Sequence, residues 1–330
     1  NDVGYPISFS SVYLTNEVAI SDEVVSTPVE ALNFSGVVSS SSGIRYIVKH
    51  GHMVFDDKPI DLWRLQDEAS EHWLEAVKEN TWCLFKDVGK IRVGVKTTAD
   101  NVFIKKNWLD ELGYEPELTR PLTTHHVGGR YRTNGNEKKS ILYTHTTVNG
   151  KKKVIPLEHS PKSKRYLESH REQLEGRGYV IKAKRAWYEI WVPQDPALWD
   201  IPKVVFRDIT EQPMFWMDKG SIINGDCYWM IADNSDMPKD ILFLVLAIAN
   251  STFIETFYDI KFQNKLYSNK RRFITQYVEK FPLPNPDDER SQQIIELSRA
   301  CTMEENEKNR LDVEQKINSL VWSIFNAPKP

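Results

Sequence analysis

Alternating apolar and polar positions mark the first part of the chain. "GIRYIVKH" and "HMVFDD", joined around Gly51, predict a hairpin with one buried face. A helix is predicted in "SEHWLEAVKEN", where Ser70 can cap and Trp73, Leu74 and Val77 recur at helical spacing. "KIRVGVKTTADNVFIKK" predicts two short strands, 90–96 and 101–105, around a polar turn. In "SILYTHTTVNGKKKVIPL" a second hairpin is expected, with Asn149 and Gly150 supplying the positive backbone angles of its turn. "PKSKRYLESHREQLEGRG" predicts a helix stopped at Gly176 or Gly178. Strands follow in "WYEIWV", "KVVFRDI", "MFWMD" and "CYWMIA", rich in aromatic and branched residues, and then a helix over 239–260. Its run "ILFLVLAIA" is about half the length that spans a bilayer, so it reads as a buried helix and no membrane is implied. Asn285 as cap and Pro286 at the first position open a C-terminal helix. Its stripe of Ile294, Leu297, Cys301, Val313, Ile317, Leu320, Val321 and Ile324 needs a partner, within the chain or outside it.

Charge adds a division that hydropathy does not show. The net charge is -3, but residues 1–88 carry 6 basic against 14 acidic side chains, 89–285 carry 31 against 23, and 286–330 carry 6 against 9. A basic middle between acidic ends suits a polyanionic partner. At 330 residues, one main domain with appendages is expected. Cys83, Cys227 and Cys301 are too few and too widely spaced for a disulfide framework or a zinc site, which fits a reducing cytoplasm. The chain opens in mid-pattern, without an initiator Met, which suggests an excised piece.

Most candidate chemistry fails on context. Gly89 and Gly94 in "GKIRVGVKT" have phosphate-loop separation, but Val95 intrudes before Lys96 and strand residues lie inside the motif. Pro286, Asp287, Glu314 and Lys316 loosely follow a nuclease pattern, yet on one continuous helix its ends would lie roughly 40 Å apart. His125 and His126 form the only adjacent histidine pair and have no acidic third ligand near them in the sequence. No nucleophile elbow, Cys and His arrangement or Pro-Pro-aromatic motif is found. What remains is "KFQNKLYSNKRR". Lys261, Lys265, Lys270, Arg271 and Arg272 can neutralise phosphates, while Gln263, Asn264, Tyr267 and Asn269 offer groups for base edges.

An ordered series of segments gives these residues a frame. "IRVGVKTTADNVFI", "LTRPLTTHHVGGRY", "PLEHSPKSKRYLESHREQLEGR", "WYEIWVPQDPALWDIPKVVFRDI", "INGDCYWMI", "LAIANSTFIETFY" and "FQNKLYSNKRRFITQYVEKFPLPNP" resemble the target recognition domain of TaqI-like and type IIG adenine-specific DNA methyltransferases. Similarity to type I specificity subunits is weaker. The resemblance implies an α/β (α+β) fold, a mixed-sheet recognition domain with a C-terminal helical segment. It implies an acidic region 1–88 that joins or ends a methyltransferase domain, a DNA target recognition domain at 89–285, and a helical segment at 286–330. Double-stranded DNA and a catalytic domain, in the same parent chain or a separate subunit, are the implied partners. S-adenosylmethionine is expected on that catalytic domain and no cofactor on this chain. Phosphate contacts are expected from the five cations above and from Lys162, Lys164 and Arg165. Thr98 stands where the family usually has Gly, which predicts a turn of different shape. The tryptophans of "WYEIW" could stack on a displaced base but are expected in the core. The alternative is a protein-interaction scaffold that docks a partner subunit through the C-terminal helix.

Overall fold

A computed structural model describes residues 7–18, 23–54, 64–135, 139–264, 266 and 270–327. They form two compact units, Asn1–Glu79 with Ile260–Gln263, and Asn80–Asp259 with Asn264–Pro330. The fold mixes helices with antiparallel and parallel strand pairs and ends in helices.

In the smaller unit, Ser8–Leu14, Arg45–Val54, Gly36–Ser40 and Val24–Val25 lie side by side, with Arg64–Gln66 paired to Arg45–Val54. The expected turn at Gly51 is absent: Arg45–Val54 is one continuous strand. Glycine is needed there for proximity, since a Cβ would stand 2.1 Å from the Gln66 carbonyl oxygen. In the run of four serines, Ser39 and Ser40 are strand residues, and Ser41 and Ser42 enter the turn. The helix Glu68–Glu79 buries Trp73 and Val77 as its spacing predicts. Its cap is Asp67, whose carboxylate accepts from the Ser70 amide at 2.8 Å, so Ser70 sits inside the first turn.

The larger unit packs two four-stranded sheets around one core. One has the order Ile222–Ile223, Thr119–Thr123, Lys139–Leu142, Ile104–Lys105; the other has Phe215–Asp218, Lys203–Arg207, Cys227–Met230, Ile91–Val93. Val205, Trp216, Cys227 and Trp229 of the second sheet meet Leu122, Ile141, Leu142 and Ile222 of the first in one buried cluster. A hydrogen bond to a buried ion pair of the second sheet also joins the two sheets. Lys203, wholly buried, donates to the Trp199 carbonyl at 2.6 Å and pairs with Asp218 at 3.5 Å, and Asp218 accepts from Thr123 at 2.9 Å. Burial lowers the Lys203 pKa against the pull of Asp218.

The hairpin His145–Val148 with Lys151–Val154 has the expected turn, Asn149 at φ 51° and Gly150 at φ 70°. Two expected strands are not strands. Residues 101–103 fall in the short helix Asp100–Phe103. "WYEIWV" is irregular because arginines take its carbonyls: Arg177 donates to Trp187, and Arg185 to Ile190 and Trp191, at 2.5–2.8 Å. Arg185 also lies over the Trp191 ring, so these rings are occupied within the fold.

The apolar helix breaks into Ile241–Ala249 and Thr252–Phe262, bent by 69° at Asn250 and Ser251. The Asn250 amide accepts from the Phe215 N–H at 3.0 Å and donates to the Phe215 carbonyl at 2.9 Å, acting as one more strand residue on that edge. Ser251 caps the second helix through the Ile254 amide. Among the described residues no single helix is long and apolar enough to cross a membrane.

The C-terminal segment is two antiparallel helices, Glu289–Met303 and Glu307–Ile324, since Arg290 at the start of one donates to the Ser323 carbonyl at the end of the other. Asp288 rather than Asn285 caps the first, and Asn306 caps the second. The partner of the apolar stripe lies inside the chain: Glu289–Met303 packs on Ile241–Ala249, and Phe325 stacks on Phe253 at 4.2 Å. Glu314 is taken by Arg130 at 2.8 Å, which also removes it from any nuclease constellation.

Candidate nucleic-acid interface

The segment after Phe262 is anchored at both ends by one buried phenol. Tyr258 Oη donates to the Arg272 carbonyl at 3.0 Å and accepts from the Arg272 amide at 3.2 Å, and the Asn264 carbonyl lies 3.4 Å away. Arg271–Arg272 pairs with Ile209–Thr210, which points successive side chains to opposite faces. Arg271 therefore turns inward. It is 8% exposed, and Asp259 (2.7 Å), Glu255 (3.7 Å) and the Glu211 carbonyl surround its guanidinium. That geometry makes it a brace for the segment. Arg272 turns outward and pairs with Asp208 at 3.2 Å, an exposed contact that a phosphate can replace.

Lys270 is exposed, and Lys261 is half-buried on the last turn of its helix. Gln263 is exposed with φ 48°, where the chain leaves the helix. Asn264 donates to the Tyr277 hydroxyl at 2.6 Å, so a base would compete for its amide. Lys265, Tyr267 and Asn269 lie outside the described residues.

The second predicted group is built differently. The helix Pro161–Ser169 has no side-chain cap from Ser160. Its first turn is held by the carboxylate of Glu117, which accepts from the Lys162 and Ser163 amides and the Ser163 hydroxyl at 2.8–3.0 Å. Desolvation raises the Glu117 carboxyl, but the hydrogen bonds together outweigh it and pull the pKa down to about 2. Lys162 and Arg165 are exposed on this helix, Lys164 is half-buried 4.0 Å from Glu168, and Arg165 lies over the Tyr114 ring.

A further polar hollow was not anticipated. The spacing of Gly89 and Gly94 comes from strand packing: a Cβ at either would stand about 2 Å from the Ile231 or Asn224 carbonyl oxygen. Close approach at Gly94 and Gly225 lets Val95 bridge to Asn224 and brings Lys96 beside them. Thr98 keeps a left-handed backbone at φ 62° despite its Cβ, so the turn retains the conformation that glycine would favour. The resulting groove, of about 690 Å³, is lined by Lys96, Asn101, Gln173 and Asn224 among others. It adjoins a second hollow of about 460 Å³ that reaches Lys105, Lys106, His126 and Lys139 and shares Asn101 and Asn224. The acid missing near the histidine pair in sequence is present in space: Asp226 meets His125 at 2.5 Å. Among the described residues no group of His, Cys, Asp and Glu could hold a metal ion.

Comparison with known proteins accounts for this architecture. Residues 138–283 match the TaqI-like C-terminal specificity domain. Over 338 residues the chain is 38% identical to the Type II methyltransferase M.BanIII of Aneurinibacillus aneurinilyticus, covering 98% of this chain and 57% of that protein. It is 25% identical to the Type II methyltransferase M.PaeR7I of Pseudomonas aeruginosa, over 62% of this chain and 34% of that one. Against M.BstVI of Geobacillus stearothermophilus the identity is 26%, over 68% and 38%. The chain thus spans little more than half the length of M.BanIII and less of the other two. The fold is similar to that of the Type IIL restriction-modification enzyme MmeI, solved in complex with DNA, with a TM-score of 0.54 at 12% identity over 90% of this chain and 42% of that one. The chain thus carries, over residues 138–283, a TaqI-like C-terminal specificity domain and is a relative of the type II methyltransferases.

Proposed function

We propose that this chain reads DNA sequence for an adenine-specific DNA methyltransferase or a fused restriction and modification enzyme, in the cytoplasm. The match of residues 138–283 to a specificity domain carries the reading. Methyl transfer belongs to a catalytic domain, in the same parent protein or a separate subunit, that binds S-adenosylmethionine. The one glycine pair here with nucleotide-loop spacing is filled by neighbouring backbone, so no cofactor cradle is argued from it. In this proposal 89–285 is the recognition domain, with 1–88 joining it to the catalytic part or forming that part's tail, and 286–330 a C-terminal helical segment. Lys261, Lys265, Lys270, Arg272, Lys162, Lys164 and Arg165 contact phosphates, Arg271 positions its neighbours, and Gln263, Asn264, Tyr267 and Asn269 face bases. The scaffold alternative is weakened, because the stripe that would dock a partner is covered within the chain.

Duplex binding followed by fluorescence anisotropy tests the proposal. If five of these seven cations each neutralise a phosphate, log affinity falls with log salt at a slope of about -4 to -5, and at about -6 if all seven do. Arg272→Ala should reduce that slope by about one. Binding that ignores salt, or no binding to any duplex, would refute it.

A further inference from the structure

The groove around Asn101 lies apart in sequence from the 261–272 segment, and its chemistry points to one kind of ligand. Asn101 and Gln173, 72 positions apart, face each other as an amide pair: Gln173 donates to Asn101 at 3.0 Å and Asn101 to Gln173 at 3.5 Å. Each primary amide has a second N–H and a second lone pair beyond those the pair uses. Both residues are exposed, so a ligand can reach those groups. Asn224, which also lines the groove, makes no side-chain hydrogen bond among the described residues. Lys96 and Lys139 make no ion pair among them either, whereas Lys105 is taken by Glu111 at 2.8 Å. Thr124 adds an independent sign. It is 3% exposed, lines the adjoining hollow, and its hydroxyl has no hydrogen-bond partner.

Carboxylates line these hollows too, but they are engaged, Asp100 by Thr97, Asp226 by His125 and Glu111 by Lys105. Three amides, an unpartnered hydroxyl and two cations without an ion pair, with His126 as the one ring among the lining residues, do not suit a stacked small molecule. They suit the edge of a base flanked by phosphates, because Asn and Gln can present a donor and an acceptor side by side. We propose that this groove is a second base-reading subsite for duplex DNA. Asn101, Gln173 and Asn224 contact base edges there, and Lys96 and Lys139 hold the adjacent backbone. The proposal rests on the chain being a DNA reader and adds specificity residues that lie outside the 261–272 segment.

Selection from a random-sequence duplex pool, with the full chain as bait, tests it. The wild type should enrich a consensus. The Asn101→Ala/Gln173→Ala double variant should keep its affinity for unselected duplex within twofold and lose about 5- to 150-fold discrimination at one or two consensus positions. Asn101→Asp, which keeps the side-chain shape but replaces the donor by an acceptor, should change the preferred base at the same position. Lys96→Ala should weaken all duplexes alike and reduce the salt slope by about one. An unchanged consensus in both amide variants overturns the subsite and leaves the chain a DNA reader. A wild type that binds duplex without salt dependence and enriches nothing overturns both.

Discussion

Replacing Asp218 by Asn removes the only carboxylate within ion-pair distance of the buried Lys203 ammonium among the described residues. At 3.5 Å, and at an effective dielectric of about 20, the attraction lost is about 5 kcal/mol. A second route bounds the penalty. The ammonium can escape by giving up its proton, and neutralising a lysine of reference pKa 10.5 at pH 7 costs about 5 kcal/mol. A loss of about 3–5 kcal/mol is therefore expected, the range for breaking a buried pair by removing one partner. The pH dependence separates this cause from simple misfitting. If Lys203 is neutral in folded Asp218→Asn, its folded pKa lies below the unfolded value, and the unfolded chain binds the extra proton between the two. Stability then rises with pH across that window, by about 1.4 kcal/mol per unit from pH 7 to 9 relative to wild type. Urea unfolding followed by tryptophan fluorescence reports on it, because Trp199, Trp216 and Trp229 are buried in the same core. A loss below about 1 kcal/mol, or a pH profile parallel to wild type, would refute the reasoning.

Two further perturbations follow from the same physics. Thr98→Gly relieves a non-glycine left-handed backbone at an exposed turn and, after the entropy cost of glycine, should stabilise by about 0.5–1 kcal/mol in calorimetry. His145 is buried against Glu189, and desolvation, opposed by that carboxylate, lowers its pKa to about 4. Its folded pKa lies below the reference 6.5, so the unfolded chain gains a proton first and stability falls on acidification from about pH 6.5 to 4. The contribution is at most about 3 kcal/mol, and His145→Gln should flatten that part of the urea-midpoint profile.

The parts of the fold legible in the sequence are those decided locally. Asn149 and Gly150 set their own turn, and the aromatic and branched residues of "KVVFRDI" and "CYWMIA" report strands because the neighbours they pair with are also strands. "WYEIWV" has equal strand propensity, but Arg177 and Arg185, just before it in the chain, fold back to satisfy its carbonyls. Gly51 reads as punctuation until Gln66 is seen to cross it. The inward turn of Arg271 depends on a two-residue pairing with 209–210, which composition cannot show. The groove was hidden for the same reason: its amides come from positions 101, 173 and 224, and no local window contains two of them. The near-miss phosphate loop was its one visible trace.

Apart from Thr97, whose hydroxyl accepts from the Ala99 amide, the main chain beneath that groove is held by backbone bonds and not by the side chains of Lys96, Asn101, Gln173 or Asn224. Gly94 donates to the Cys227 carbonyl and Val95 to Ile223, Lys96 exchanges two bonds with Val192, and Asn224 donates to Thr123, all at 2.7–3.0 Å. Residues 96, 101, 173 and 224 can therefore be exchanged while the frame persists, whereas Gly89, Gly94 and Gly225 cannot. Under the proposed base-reading role of the groove, such a division would let a lineage change which sequence it recognises by single replacements, without passing through an unfolded intermediate form. A mutant library built to redirect recognition should randomise the first set and leave the three glycines alone.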